Sequence, residues 1–117
     1  FMSSSPKAGI SGKKQGAKAK KIAREREDAW IGDAVLSLYA RQWILENEKS
    51  FKESREELFR SMTSNQFLSA VGNPTSVEAT IGTRYQEQGY AEAVVWIETN
   101  LLPLFKKQLI NRQKHRP

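Results

Sequence analysis

The chain has 117 residues, 19 of them Lys or Arg and 13 Asp or Glu, with one His, no Cys and a net charge of +6. That length suits one small domain, and the lack of Cys excludes disulfides, thiolate zinc sites and a thiol nucleophile. The lone His115 among basic neighbours argues against a His-based triad or a His-rich metal site, and no run approaches the ~20 apolar residues of a membrane span. A soluble, cytoplasmic protein without a membrane partner or small-molecule cofactor is expected, or an organellar one if the basic start is a targeting segment.

Residues 1–26 hold eight basic side chains against Glu25 alone, a net +7. Residues 106–117 hold five basic side chains and no acid, and the stretch between them is net −6. Basic ends on an acidic body suit a polyanion, because neutralised phosphates release their condensed counterions. A solubilising tail or a targeting segment is the alternative. Residues 2–20 mix Ser, Gly, Ala and Lys with few large apolar side chains, too few to offset the entropy of ordering, so they are expected to be disordered alone. Residues 2–29 also lack aromatics, which points to phosphate contact rather than base stacking. The candidate phosphate contacts are Lys13, Lys14, Lys18, Lys20, Lys21 and Arg24 at one end and Lys106 and Lys107 at the other. The chain thus divides into a basic flexible tail at 1–26, a helical domain at 27–110 and a basic C-terminal tail at 111–117.

Asp28 is placed to cap a helix running to about Glu46, with Ile31, Val35, Leu38 and Leu45 recurring at helical spacing beside Trp30, Ala34 and Ile44. This segment is apolar on more than one face, as expected of a helix buried on several sides. Phe51 to Val71 holds one or two further helices, with Leu58, Phe59, Met62, Phe67, Leu68 and Val71 as apolar sets. Gly72-Asn73-Pro74 is a break, and Asn73 as cap with Pro74 at the first helical position starts the next helix. That helix is predicted to run to about Gln88 and to end on Gly89 in a left-handed conformation. Tyr90 to Thr99 is helical through Val94, Trp96 and Ile97, and Pro103 kinks or restarts the chain before Leu104, Phe105 and Leu109. No segment alternates convincingly with period two, so the fold class is all-α. Trp43, Trp96, Phe59 and Phe67 are predicted core, and the Lys and Glu of 46–57 a solvated face.

Two carboxylates stand out. Asp33 follows Gly32 inside the most apolar helix, where Gly costs about 1 kcal/mol relative to Ala and so needs a packing or functional reason. Asp33 has no basic partner one turn away, since positions 29 and 37 are Ala and Ser. A carboxylate in that setting calls for a solvent cleft, a bound cation or a distant donor. Glu78 stands three residues after Thr75, the spacing of a capping box, so a purely structural role is also open to it. If the two converge, a pair of hard oxygen ligands suits Mg²⁺, which commonly uses only one or two protein carboxylates.

These residues resemble a known family. Asp28-Ala29-Trp30-Ile31-Gly32-Asp33-Ala34-Val35-Leu36 is similar to the signature helix of ribonuclease III. Val77-Glu78-Ala79-Thr80-Ile81-Gly82, continuing to Tyr85 and Gly89, resembles that family's second acidic motif, and residues 58–68 resemble its middle helix. The match spans about residues 27–105 and is closest to the compact Mini-III type, which lacks a double-stranded-RNA-binding domain. The resemblance implies a ribonuclease III-like helical domain that dimerises through the signature helix and cleaves double-stranded RNA with Mg²⁺ or Mn²⁺. It makes Asp33 and Glu78 the catalytic metal ligands and suggests ribosomal RNA precursors as substrates. The family's other two acidic positions hold Ala29 and Thr75 here, which leaves a second reading: a catalytically silent RNA-binding or ribosome-associated relative.

Overall fold

The computed structural model describes the backbone of residues 13–114 and the side chains of residues 18–112. Six helices follow one another: α1 (Lys13–Asn47), α2 (Arg55–Thr63), α3 (Asn65–Ser69), α4 (Pro74–Gln88), α5 (Tyr90–Asn100) and α6 (Leu102–Lys114). A single 3₁₀ turn at Glu48–Ser50 links α1 to α2. The described residues contain no strand, so the fold is all-α. None of their helices is long and apolar enough to cross a membrane.

Short-range sequence signals set most of the helix boundaries. Ser54 and Glu57 form a reciprocal capping box at the start of α2, and the Ser64 hydroxyl accepts from the Phe67 amide to start α3. Asn73 caps α4 by accepting from the Ser76 amide, with Pro74 next to it. Gly89 closes α4 with a positive φ of +92°, as its position predicts, but its ψ of 173° is extended rather than left-handed helical, because the next residue, Tyr90, starts α5 at once. Pro103 stands at the second residue of α6, so it restarts the chain rather than kinking a helix.

The start of α1 departs from expectation. The helix begins at Lys13, not at Asp28, and residues 13–20, expected to lack structure, are helical in backbone. Asp28 is therefore interior to the helix. Ala17, Lys18, Ala19, Lys20, Lys21, Ala23 and Arg24 are good helix formers. Adding turns to a helix already nucleated by its packed half needs no new nucleus. The expected phosphate contacts Lys18, Lys20, Lys21 and Arg24 are exposed along this extension, and Lys106 and Lys107 are exposed on α6. The side chains of Lys13 and Lys14, like His115, lie outside the described residues.

The core fills the space between the C-terminal half of α1 and the other helices. It includes Leu36, Ile44, Leu58, Met62, Leu68, Ile81, Ile97, Leu101, Phe105 and Leu109. Phe105 is met edge-on by Trp43 at 5.7 Å and by Phe67 at 5.6 Å between ring centroids. Trp43 and Phe67 are buried as predicted, whereas Phe59 and Trp96 are half-buried against the core.

Two further expectations fail. The second apolar face of α1 is open: Trp30 is 78% exposed, Leu45 58% and Leu38 47%. The stretch 46–57 is not simply a solvated face either. The Glu53 side chain is only 8% exposed and pairs with Arg112 of α6 at 3.1 Å.

Candidate functional site

α1 and α4 cross in backbone contact, and two glycines make the crossing. A Cβ on Gly32 would fall against the Glu78 carbonyl and within 2.9 Å of the Gly82 amide nitrogen. A Cβ on Gly82 would fall against the Asp28 carbonyl and within 2.9 Å of the Gly32 nitrogen. Any larger residue at either position would hold the helices apart. The cost of Gly32 inside a helix thus has a packing explanation.

That crossing decides what the acids of α1 meet on α4. The Glu25 carboxylate accepts from the Ser76 hydroxyl at 3.0 Å. Asp28 accepts from Gln86 Nε2 at 3.0 Å and from the Thr83 hydroxyl at 3.3 Å. Both acids therefore meet donors. Asp33, next to the crossing glycine, instead comes within hydrogen-bonding reach of the Glu78 carboxyl.

Two carboxyls brought together repel when both are ionised, and burial adds to the cost of charge. The Glu78 carboxyl is pushed up to about 7, first by its burial, then by its hydrogen bond with Asp33 and by the negative charge there. A Glu78 carboxyl that keeps its proton toward neutral pH can donate it in a hydrogen bond to Asp33.

Asn73, not Thr75, caps α4, so the capping-box role open to Glu78 on sequence spacing does not occur. Glu78 instead lies in the second turn of α4, half-buried against α1. No intrahelical capping bond accounts for its placement, and its carboxyl meets another carboxyl rather than a cation.

Among the described residues no group of three or more His, Cys, Asp or Glu converges. Ala29 is buried at 7% exposure and Thr75 is exposed, so neither adds an acid to the pair. An exposed Asp33 and a half-buried Glu78 offer two hard oxygen donors that fit a divalent cation of the Mg²⁺ kind, which keeps waters and substrate oxygens in its remaining positions. A bound cation also offsets the burial cost and, with it, the Asp33 charge that raise Glu78.

The sequence carried no local signal for the contacts of Asp28 with Thr83 and Gln86 or of Glu25 with Ser76. Each spans more than 50 residues. Comparison of the chain with protein-family models, with curated proteins and with solved structures finds no match.

Proposed function

We propose that this chain is a metal-dependent endoribonuclease of ribonuclease III type that cleaves double-stranded RNA, with ribosomal RNA precursors as one substrate class. The observation that carries this reading is the convergence of Asp33 and Glu78 across the Gly32–Gly82 crossing. Paired carboxylates with one raised titration are a hallmark of reactive sites. The same two residues carry the sequence resemblance.

In this reading Asp33 and Glu78 would hold Mg²⁺ or Mn²⁺. The ion, when bound, supplies charge neutralisation at a phosphodiester and lowers the cost of ionising water. The chain's own residues do the rest. Gly32 and Gly82 fix the two carboxylates at one spacing, and Asp28 and Glu25 tie α1 to α4 on the same side. Lys18, Lys20, Lys21 and Arg24 extend a cationic rod beyond the crossing, and Lys106 and Lys107 add charge on α6. These side chains hold backbone phosphates, and recognition rests on the A-form shape rather than on sequence. A second copy of the chain covers Trp30, Ala34, Leu38 and Leu45, an exposed line at helical spacing on α1.

The test is a gel assay on a long RNA duplex with Mg²⁺, with EDTA and Asp33→Asn as controls. Cleavage abolished by both supports the nuclease. A second reading, a catalytically silent RNA-binding relative, is favoured by the burial of Ala29 and the exposure of Thr75 where the family carries acids. It predicts intact duplex under every condition, with a mobility shift that persists in Asp33→Asn.

A further inference from the structure

A cavity of about 580 Å³ opens where α2, α3 and α6 meet. Arg60, Ser61 and Ser64 line it from the α2 side, and Gln108, Asn111 and Arg112 from α6. Its walls are rich in hydrogen-bond donors, and two of them are guanidinium groups.

The charge there is not balanced. Glu53 pairs with Arg112 Nη2 at 3.1 Å, and the Ser61 hydroxyl accepts from the same nitrogen at 3.5 Å. Arg60 forms no ion pair among the described residues. Arg112 Nε is buried and has no acceptor. A buried donor left unpaired is costly, and the folded chain supplies it no partner; a ligand reaches Arg112 through the 39% of its side chain that is open. Ser64 cannot be that partner, because its hydroxyl is engaged with the Phe67 amide and the Ser61 carbonyl.

We propose that this cavity is a phosphate-binding site, in which Arg60 and Arg112 hold phosphoryl oxygens. Donors approach from two separate elements, which suits a tetrahedral group with several acceptor oxygens better than a planar carboxylate with two. Lys106 and Lys107, exposed on α6, raise the positive potential around it. The ligand is either a backbone phosphate of RNA or a small free phosphate compound, since both present the same oxygens. The site is independent of Asp33 and Glu78 and stands whether or not the chain cleaves RNA.

The test follows the arginine Nε–H resonances of the ¹⁵N-labelled full chain during titration with inorganic phosphate, at constant ionic strength set by chloride. The Arg112 Nε signal is expected to shift saturably, and Arg60→Gln to weaken the midpoint about tenfold, the worth of one charged hydrogen bond. Arg112→Lys, which keeps the charge but loses Nε, weakens it similarly, while Lys49→Gln, on the exposed 3₁₀ turn, leaves it unchanged. Competition by a short RNA duplex at the same signal assigns the site to an RNA backbone, and its absence assigns it to a small phosphate compound. An Arg112 signal that phosphate moves no more than chloride does overturns the proposal. A midpoint untouched by Arg60→Gln overturns it as well, and neither reading depends on Arg112→Lys folding.

Discussion

Gly32 and Gly82 approach so closely that the amide nitrogen of each lies 2.9 Å from where a Cβ on the other would stand. The backbone of α4 at Glu78 passes where a Gly32 Cβ would stand, and the backbone of α1 at Asp28 passes where a Gly82 Cβ would stand. Because Asp33 is the next residue after Gly32, this approach sets it beside Glu78. The carboxyl pair is therefore a consequence of the glycine pair. Packing and chemistry meet in one helix crossing.

Gly32→Ala is expected to destabilise the fold, against its local helix preference. Ala gains about 1 kcal/mol of helix propensity over Gly. The added methyl meets backbone rather than a flexible side chain, and overpacking of that kind costs about 3 kcal/mol. The net loss corresponds to roughly 10 °C in a domain of this size. Thermal melts of Gly32→Ala and Gly82→Ala check this, and a melting point at or above the parent's in both would show that the helices do not cross this closely.

Asp33→Asn and Glu78→Gln are expected to stabilise the protein near pH 8 while abolishing any metal-dependent cleavage. The folded-state titration of Glu78, at about 7, lies above its ordinary value of 4.5. An acid shifted in that direction binds more protons folded than unfolded. Its contribution is fully present below about pH 4.5 and is lost as pH rises through 7. Two unit charges 4 Å apart in water repel by about 1 kcal/mol, worth about 5 °C here. Melting points across pH 4 to 9 should fall less steeply in Asp33→Asn than in the parent. Parallel curves would remove the coupling between the two carboxyls.

Mg²⁺ or Mn²⁺ is expected to raise the melting point at pH 8 and to do little at pH 5. A carboxylate must be deprotonated to ligate, so cation affinity rises as Glu78 ionises. At a cation concentration 100-fold above the dissociation constant, stabilisation reaches about 2.7 kcal/mol. An equal shift in Asp33→Asn would place the ion elsewhere.

The all-α class and the limits of α4 were legible because Asn73, Pro74 and Gly89 act within a few residues of where they stand. Asp33 and Glu78 were legible as candidates because a helix-interior Gly-Asp and a second acid in its own motif are both unusual locally. The role of Gly32 was not, because it depends on Gly82, 50 residues away. Nor was the start of α1. Low apolar content argues against packing, but a helix extended from a packed half needs only propensity. The open face carrying Trp30 was misread because apolar spacing alone does not distinguish a face buried in the chain from one left for a partner.

The cationic extension of α1 is expected to dominate the salt dependence of RNA binding. If each of Lys18, Lys20, Lys21 and Arg24 neutralises one phosphate, changing all four to Gln should flatten the log–log salt plot by about 3.6 units, at 0.9 per phosphate, the duplex DNA value. Fluorescence anisotropy with Asp33→Asn, which removes cleavage from the measurement, checks the slope. An unchanged slope would assign the phosphate contacts to other parts of the surface.

Trp30 is expected to govern self-association. With 78% of its surface exposed, it lies on a face of α1 with Ala34, Leu38 and Leu45, in a chain whose other large apolar side chains mostly line the core. A large aromatic surrounded by water is the kind of residue that anchors an interface when covered. Trp30→Glu buries a charge in any such interface but breaks no contact in the core, so the folded monomer should survive the change. Sedimentation equilibrium should give a dimer for the parent and a folded monomer, unchanged in helix content by circular dichroism, for Trp30→Glu. A parent that sediments as a monomer at every concentration tested would leave the face to a different partner, and RNA cleavage would then have to proceed from one Asp33–Glu78 pair at a time.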